Sequence, residues 1–131
     1  PDLAHNKPTK ASSWEWNFWG GLPTKAAVDG KANTRWASGW NDREWLQVDL
    51  GQAKQVGRVS IDWEYAFGKR YQIQTSLDAK HWTTAHTVND GRGDLEVASF
   101  SPRTARYVRM KGLKRGTYWG YSIKEMHVYG H

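Results

Sequence analysis

The sequence predicts an all-β fold, an antiparallel sandwich or barrel made of many short strands. Three observations carry that expectation. Several segments alternate apolar and polar residues with period two, turn residues recur between them, and no long window sustains a helical stripe.

The elements follow in chain order. Leu46-Gln47-Val48-Asp49-Leu50 and Val59-Ser60-Ile61-Asp62-Trp63 each alternate cleanly and read as half-buried strands. Residues 71–74, 95–98 and 106–110 repeat the pattern, and residues 81–88 and 123–129 are expected to add further strands. Turns are expected at Asp29-Gly30, Asn89-Asp90-Gly91, Ser101-Pro102 and Arg115-Gly116, where Gly, Pro or Asn interrupts the alternation. Residues 89–94 read as a polar hairpin loop, although Arg92-Gly93-Asp94 also spells an integrin-type tripeptide.

At 131 residues the chain has room for one domain, 1–131, with no internal repeat or low-complexity linker. No apolar run approaches the ~18 residues of a membrane span, and residues 1–7 contain no signal-peptide core. A start at Pro1 without Met is what a mature or excised module would show, with any export signal outside it. The absence of cysteine excludes a disulfide scaffold, a thiolate zinc site and a cysteine nucleophile. Nineteen Lys and Arg against 13 Asp and Glu leave a formal charge of +6. A pI near 9.7 permits attraction to nucleic acid, acidic glycans or anionic lipid. Nucleic acid is set aside, since no recognition helix or stacking-sheet signature accompanies the charge.

Nine Trp, six Tyr and three Phe are many rings for a chain with a mean hydropathy of −0.83. Trp45, Trp63, Trp82 and Tyr107 fall in or beside alternating strands and are expected to pack in the core. Trp14, Trp16, Phe18 and Trp19 instead crowd into six residues ahead of a Gly-Gly-Leu-Pro break, more apolar surface than one edge strand easily buries. Gly116-Thr117-Tyr118-Trp119-Gly120-Tyr121 places further rings between glycines. A sugar presents a C–H face to a flat ring and hydroxyls to a carboxylate. Trp14-Glu15-Trp16 and Trp63-Glu64-Tyr65 each set a carboxylate between rings, able to accept from two hydroxyls or a sugar ammonium.

Further motifs run in order along the chain: Ala11-Ser12-Ser13, Ala27-Val28-Asp29-Gly30-Lys31-Ala32-Asn33-Thr34-Arg35-Trp36, Trp45-Leu46-Gln47-Val48-Asp49-Leu50-Gly51, Ala105-Arg106-Tyr107-Val108-Arg109-Met110, and Gly120-Tyr121-Ser122-Ile123 through Gly130. From Asn6 to Gly130 the chain resembles the discoidin, or coagulation-factor type C, family, and within it the family 32 carbohydrate-binding modules attached to secreted bacterial hydrolases. The resemblance implies an eight-stranded antiparallel jelly-roll β-sandwich with its ligand site in the loops at one end. It places Glu15, Glu64 and Trp119 or Tyr121 in that site; with Arg35 beside them, the rings of Trp14, Trp16, Trp19, Trp119 and Tyr121 are the candidate platforms, of which two or three are expected to face the ligand. It also implies a structural calcium ion, held by side-chain oxygens of Asp29, Thr34 and Glu125 and by backbone carbonyls near Ala26, Lys31 and Met126. Two departures stand out: Ala37 follows Arg35-Trp36 where chitosan-binding members carry Glu or Tyr, and the first loop is longer and richer in Trp.

The expectation is a secreted, monomeric, non-catalytic module that binds a polysaccharide or oligosaccharide, glucan or chitosan, and targets a linked catalytic domain to it. Catalysis has little support, because no nucleophile triad, metal-hydrolase motif or phosphate loop is present, although Glu15 and Glu64 offer the carboxylate pair a glycosidase needs. Binding of an acidic polysaccharide, of the alginate or pectate type, through Lys69, Arg70, Lys111, Lys114 and Arg115 is the first alternative. Binding of anionic phospholipid membrane surfaces through Trp14–Trp19 is the second, and it ranks well below the others.

Overall fold

The computed structural model describes residues 1–17 and 20–131 and is all-β apart from one short 3-10 helix. Its plan rests on two strands long enough to serve both layers. β1 (Thr9–Ala11), β2 (Glu15–Asn17), β3 (Gly20–Leu22) and β4 (Trp36–Ala37) are short, whereas β5 runs over Trp45–Trp63. β6 (Gly68–Ser76) and β7 (Thr83–Val88) follow, then β8 (Leu95–Arg115) and β9 (Ser122–Tyr129).

β5 and β8 pair antiparallel over most of their lengths, and their ladder breaks register between Asp49 and Lys54, opposite Tyr107 and Ala105. Gly51 sits in that break with φ 91° and open space around its Cβ position, so backbone conformation rather than crowding selects glycine there. The break divides both strands. Early β5 and late β8 join β1, β6 and β7 in one layer; late β5 and early β8 join β9 and β4 in the other. Hydrogen bonding is continuous through the two long strands, so the sandwich is one unclosed sheet folded onto itself. β2 and β3 pair only with each other among the described residues.

The core lies between the layers. Leu46, Val48, Val108, Met110 and Ile73 point into it from one side, and Val59, Ile61, Ile123, Met126 and Val128 from the other. Each such aliphatic side chain taken out of water contributes about 1.5–3 kcal/mol before entropy is counted. The 3-10 helix, Thr24–Val28, closes one margin with buried Ala26, Ala27 and Val28.

Four sequence expectations change. Ser101-Pro102 lies inside β8, at a bulge opposite Gly57, where proline's missing N–H is tolerated, and is not a turn. Residues 89–94 do not close a hairpin: β7 is the edge next to β6, and the chain crosses from it to the other layer. The strand expected over 81–88 begins only at Thr83, since His81 is bent back onto Asp78. Of the four rings expected in the core, Trp63 is there, but Trp45, Trp82 and Tyr107 lie half-buried on the outer face beneath arginines. Trp36, Tyr71 and Tyr121 take the core positions instead.

Candidate functional site

Buried aromatic side chains use their polar atoms to tie down the loops at one end of the sandwich. Trp36 donates from Nε1 to the Ser13 carbonyl (3.0 Å), and Tyr121 from its hydroxyl to the Asp42 carbonyl (2.6 Å). Glu44, itself buried, accepts from the hydroxyls of Ser12 (2.5 Å) and Ser13 (2.8 Å) and from Asn41 (3.3 Å). The Ser12-Ser13 pair therefore joins the loop ahead of β2 to the loop ahead of β5. Arg115 joins the latter loop to the one after β8. Its Nε donates to Asp42 (2.8 Å), and Nη1 donates to the carbonyls of Trp40 (3.0 Å) and Tyr118 (2.9 Å). These bonds from Arg115 hold the Asp42 carboxyl below the usual carboxylate range.

Between the loops lies a cleft of about 200 Å³. Glu15, Arg35 and Glu64 supply its charges, Trp119 and Tyr65 its rings, and Ala37 part of its wall. Arg35 donates to the Ser122 hydroxyl (2.7 Å) and lies 3.6 Å from the Glu64 carboxylate, which also accepts the Ala66 N–H (3.2 Å). Backbone bonds from Glu64 N to Ser122 O (3.0 Å) and from Ser122 N to Ala66 O (2.8 Å) fix that wall. Gly120 is required by close approach: a Cβ there would stand 2.3 Å from the Gly39 carbonyl oxygen and 2.4 Å from the Ser38 hydroxyl.

Of the expected ligand-contacting residues, the cleft gathers Glu15, Arg35, Glu64, Trp119 and Tyr121. Tyr121 is corrected in role. Its ring is fully buried, so it forms the floor and cannot present a stacking face. Trp14 is half exposed but does not line the cleft. Trp19 and the side chain of Trp16 lie outside the described residues. Two rings were missed. Tyr65 is 74% exposed at the rim, and Trp40, 54% exposed, meets Trp119 edge-on with centroids 5.1 Å apart. Trp40 adjoins a glycine in a polar segment, as Trp119 does, and that was the signal available for it.

Of the residues expected to hold calcium, Asp29, Thr34, Glu125 and the carbonyls of Ala26 and Lys31 come together. The Thr34 hydroxyl donates to the Asp29 carboxylate (2.7 and 2.9 Å) and has the carbonyl oxygens of Lys31 and Ala26 at 3.3 and 3.5 Å. Glu125 accepts the Gly30 N–H at 3.1 and 3.2 Å. Burial and the adjacent Asp29 push the Glu125 carboxyl up to about 8. Burial raises Asp29 as well, but the Thr34 hydroxyl and Lys31 N–H outweigh it and leave Asp29 below its ordinary value. Met126 follows Glu125 in β9 with its side chain in the core. Two carboxylates, a hydroxyl and carbonyls crowded together are hard oxygen donors of the kind that suits calcium.

The expected basic set is partly engaged. Lys69 pairs with Asp90 and Arg115 with Asp42, which removes two cations from the set expected to draw an acidic glycan.

Comparison with known proteins agrees with this geometry. The F5/8 type C domain model matches residues 8–126. The structure of chitosan-binding module 1 from a Paenibacillus sp. IK-5 chitosanase/glucanase is 42% identical, with a TM-score of 0.93 and 99% of each chain covered. Module 2 of the same enzyme, solved with chitotriose, is 37% identical at a TM-score of 0.93, over 98% of this chain and all of that one. A polysaccharide lyase 8 family protein, HylA of Enterococcus faecalis, is 28% identical over 77% of this chain, which spans only 7% of HylA's length. The folded sheet, the loop-end cleft and a family match over most of the sequence agree: the chain belongs to the F5/8 type C domain family.

Proposed function

We propose that the chain is a non-catalytic module that binds glucan or chitosan chains and holds an attached secreted polysaccharide hydrolase on them. One observation carries this reading: the cleft sets the carboxylates of Glu15 and Glu64 beside Arg35 and the exposed rings of Trp119 and Tyr65. Carboxylates accept from paired hydroxyls or a sugar ammonium, the guanidinium donates to hydroxyl oxygens, and the rings cover the C–H face. Likeness to two chitosan-binding modules, one solved with chitotriose, supports this ligand class. A shallow cleft buries little of a sugar, so single-site affinity is modest and retention relies on attachment or repeated copies. A calcium ion held by Asp29, Thr34 and Glu125 with the nearby carbonyls would steady the turn after the 3-10 helix and take no part in ligand chemistry.

Native affinity electrophoresis through gels containing laminarin or soluble chitosan tests the reading. Glu15→Ala and Glu64→Ala should each weaken retardation at least roughly ten-fold, the loss of charge-assisted hydrogen bonds, with the melting temperature little changed. Unchanged retardation in both variants would remove these carboxylates from the site.

A further inference from the structure

The outer face of the first layer carries cations that no carboxylate neutralises. Alternation sends Leu46, Val48, Val108 and Met110 into the core, which leaves Trp45 of β5 and Arg109 and Lys111 of β8 facing outward. Register sets them in rows across the strands: Lys111 lies between Trp45 and Gln72, and Arg109 between Gln47 and Gln74. Arg109 donates from Nε to Gln74 Oε1 (2.8 Å), and its guanidinium lies 4.0 Å over the Trp82 ring and 5.9 Å from that of Trp45. Its terminal nitrogens make no hydrogen bond among the described residues, and Arg109, Lys111 and the nearby Arg43 enter no ion pair there. The Asp49 carboxylate on this face is already taken by Arg106, at 2.9 and 3.1 Å. Burial, Arg109 and Arg43 all push the Lys111 ammonium below the usual lysine range, and burial lowers Arg109 too. Half-desolvated like charges side by side are a standing cost that a bound anion would offset.

We propose that this face is a second binding surface, separate from the loop cleft, which seats a carboxylate-bearing polysaccharide strand on Arg109 and Lys111. Two residues apart on one strand, these residues have Cα atoms about 6.5 Å from each other and face the same side, so their cations can meet neighbouring carboxylates of a single chain. Gln74 Nε2 donates to Gln72 Oε1 (3.1 Å), so the Gln72 amide still has its own N–H groups for hydroxyls. Its tryptophans are half-buried, with Arg109 over Trp82, so the face has no apolar wedge for a bilayer. Side-chain amides beside a guanidinium suit carboxylate and hydroxyl together. The surface stands on the strand register and not on the reading of the cleft.

Titration of the protein with alginate tests the proposal. Arg109→Gln with Lys111→Gln should weaken alginate binding at least roughly ten-fold and leave retardation by laminarin unchanged, whereas Lys69→Gln with Lys114→Gln, an equal loss of charge at the loop-proximal ends of β6 and β8, should cost less than about two-fold. Unchanged alginate affinity in the first pair, or an equal loss in the second, would overturn it. The unmutated protein gives an independent readout: alginate should shift the indole N–H resonances of Trp45 and Trp82. Shifts confined to Trp40 and Trp119 would place the ligand in the cleft and sink the idea. Tighter capture of a single-stranded oligothymidylate or of phosphatidylserine vesicles than of alginate, lost in the first pair, would overturn the choice of a glycan.

Discussion

Two buried rings share one acceptor. Trp63 Nε1 and the Tyr71 hydroxyl both donate to Oε1 of Glu96, at 2.9 and 2.7 Å, while Oε2 accepts the Arg92 N–H at 2.9 Å. Burial, reinforced by Glu96, drives the Tyr71 hydroxyl far above its ordinary value, so it stays a donor at every accessible pH. Glu96→Ala would strand both donors in the core. At about 1–3 kcal/mol for each unsatisfied group, urea denaturation should register a loss of roughly 2–6 kcal/mol. A loss below about 1 kcal/mol would mean that water reaches the two groups. At this scale the sequence was partly legible. Trp63-Glu64-Tyr65 announced a carboxylate between rings, and the structure divides the three: Trp63 in the core, Glu64 in the cleft, Tyr65 at the rim. Exposure of a ring depends on which remote side chain covers it. Trp82 is covered by Arg109, a contact between distant segments that local spacing cannot reveal.

Among the elements, alternation located strands well and their continuity poorly. Residues 46–50 and 59–63 read as two strands and are one, because the intervening Gly51-Gln52-Ala53-Lys54-Gln55 is the exposed bend where β5 changes layers and period-two burial lapses. β8 hides its length in the same way across Ser99–Ala105, where Pro102 sits at a bulge. Glu15 and Glu64 were legible as a pair only because each lies between rings in sequence; Trp40 stands alone in a polar segment, without a carboxylate beside it. The turn after the 3-10 helix carries its own prediction. With Asp29 and Glu125 crowded together, millimolar calcium should raise the melting temperature of chelator-treated protein by several degrees, through preferential binding to the folded state. Asp29→Asn should abolish that rise and leave laminarin retardation intact. An unchanged melting temperature in the unmutated protein would remove calcium from the proposal.

For the molecule as a whole, the +6 charge and the acidic cleft act on a cationic polysaccharide over different distances. The net charge repels protonated chitosan at long range, and that repulsion is screened as the Debye length falls from roughly 30 Å at 0.01 M salt to about 8 Å at 0.15 M. In the proposed site Glu15 and Glu64 would act at hydrogen-bond range inside a cleft partly shielded from solvent, where screening is weaker. Raising salt over this interval should therefore strengthen chitosan retardation or leave it level. Laminarin is uncharged, so its retardation should stay flat across the same series. Electrophoresis at three salt concentrations reads both curves from one set of gels. A steep fall of chitosan retardation with salt would mean that exposed carboxylates attract the chain from a distance. The ligand would then be held by the general field of the loop end, and Glu15 and Glu64 would lose their special place in binding.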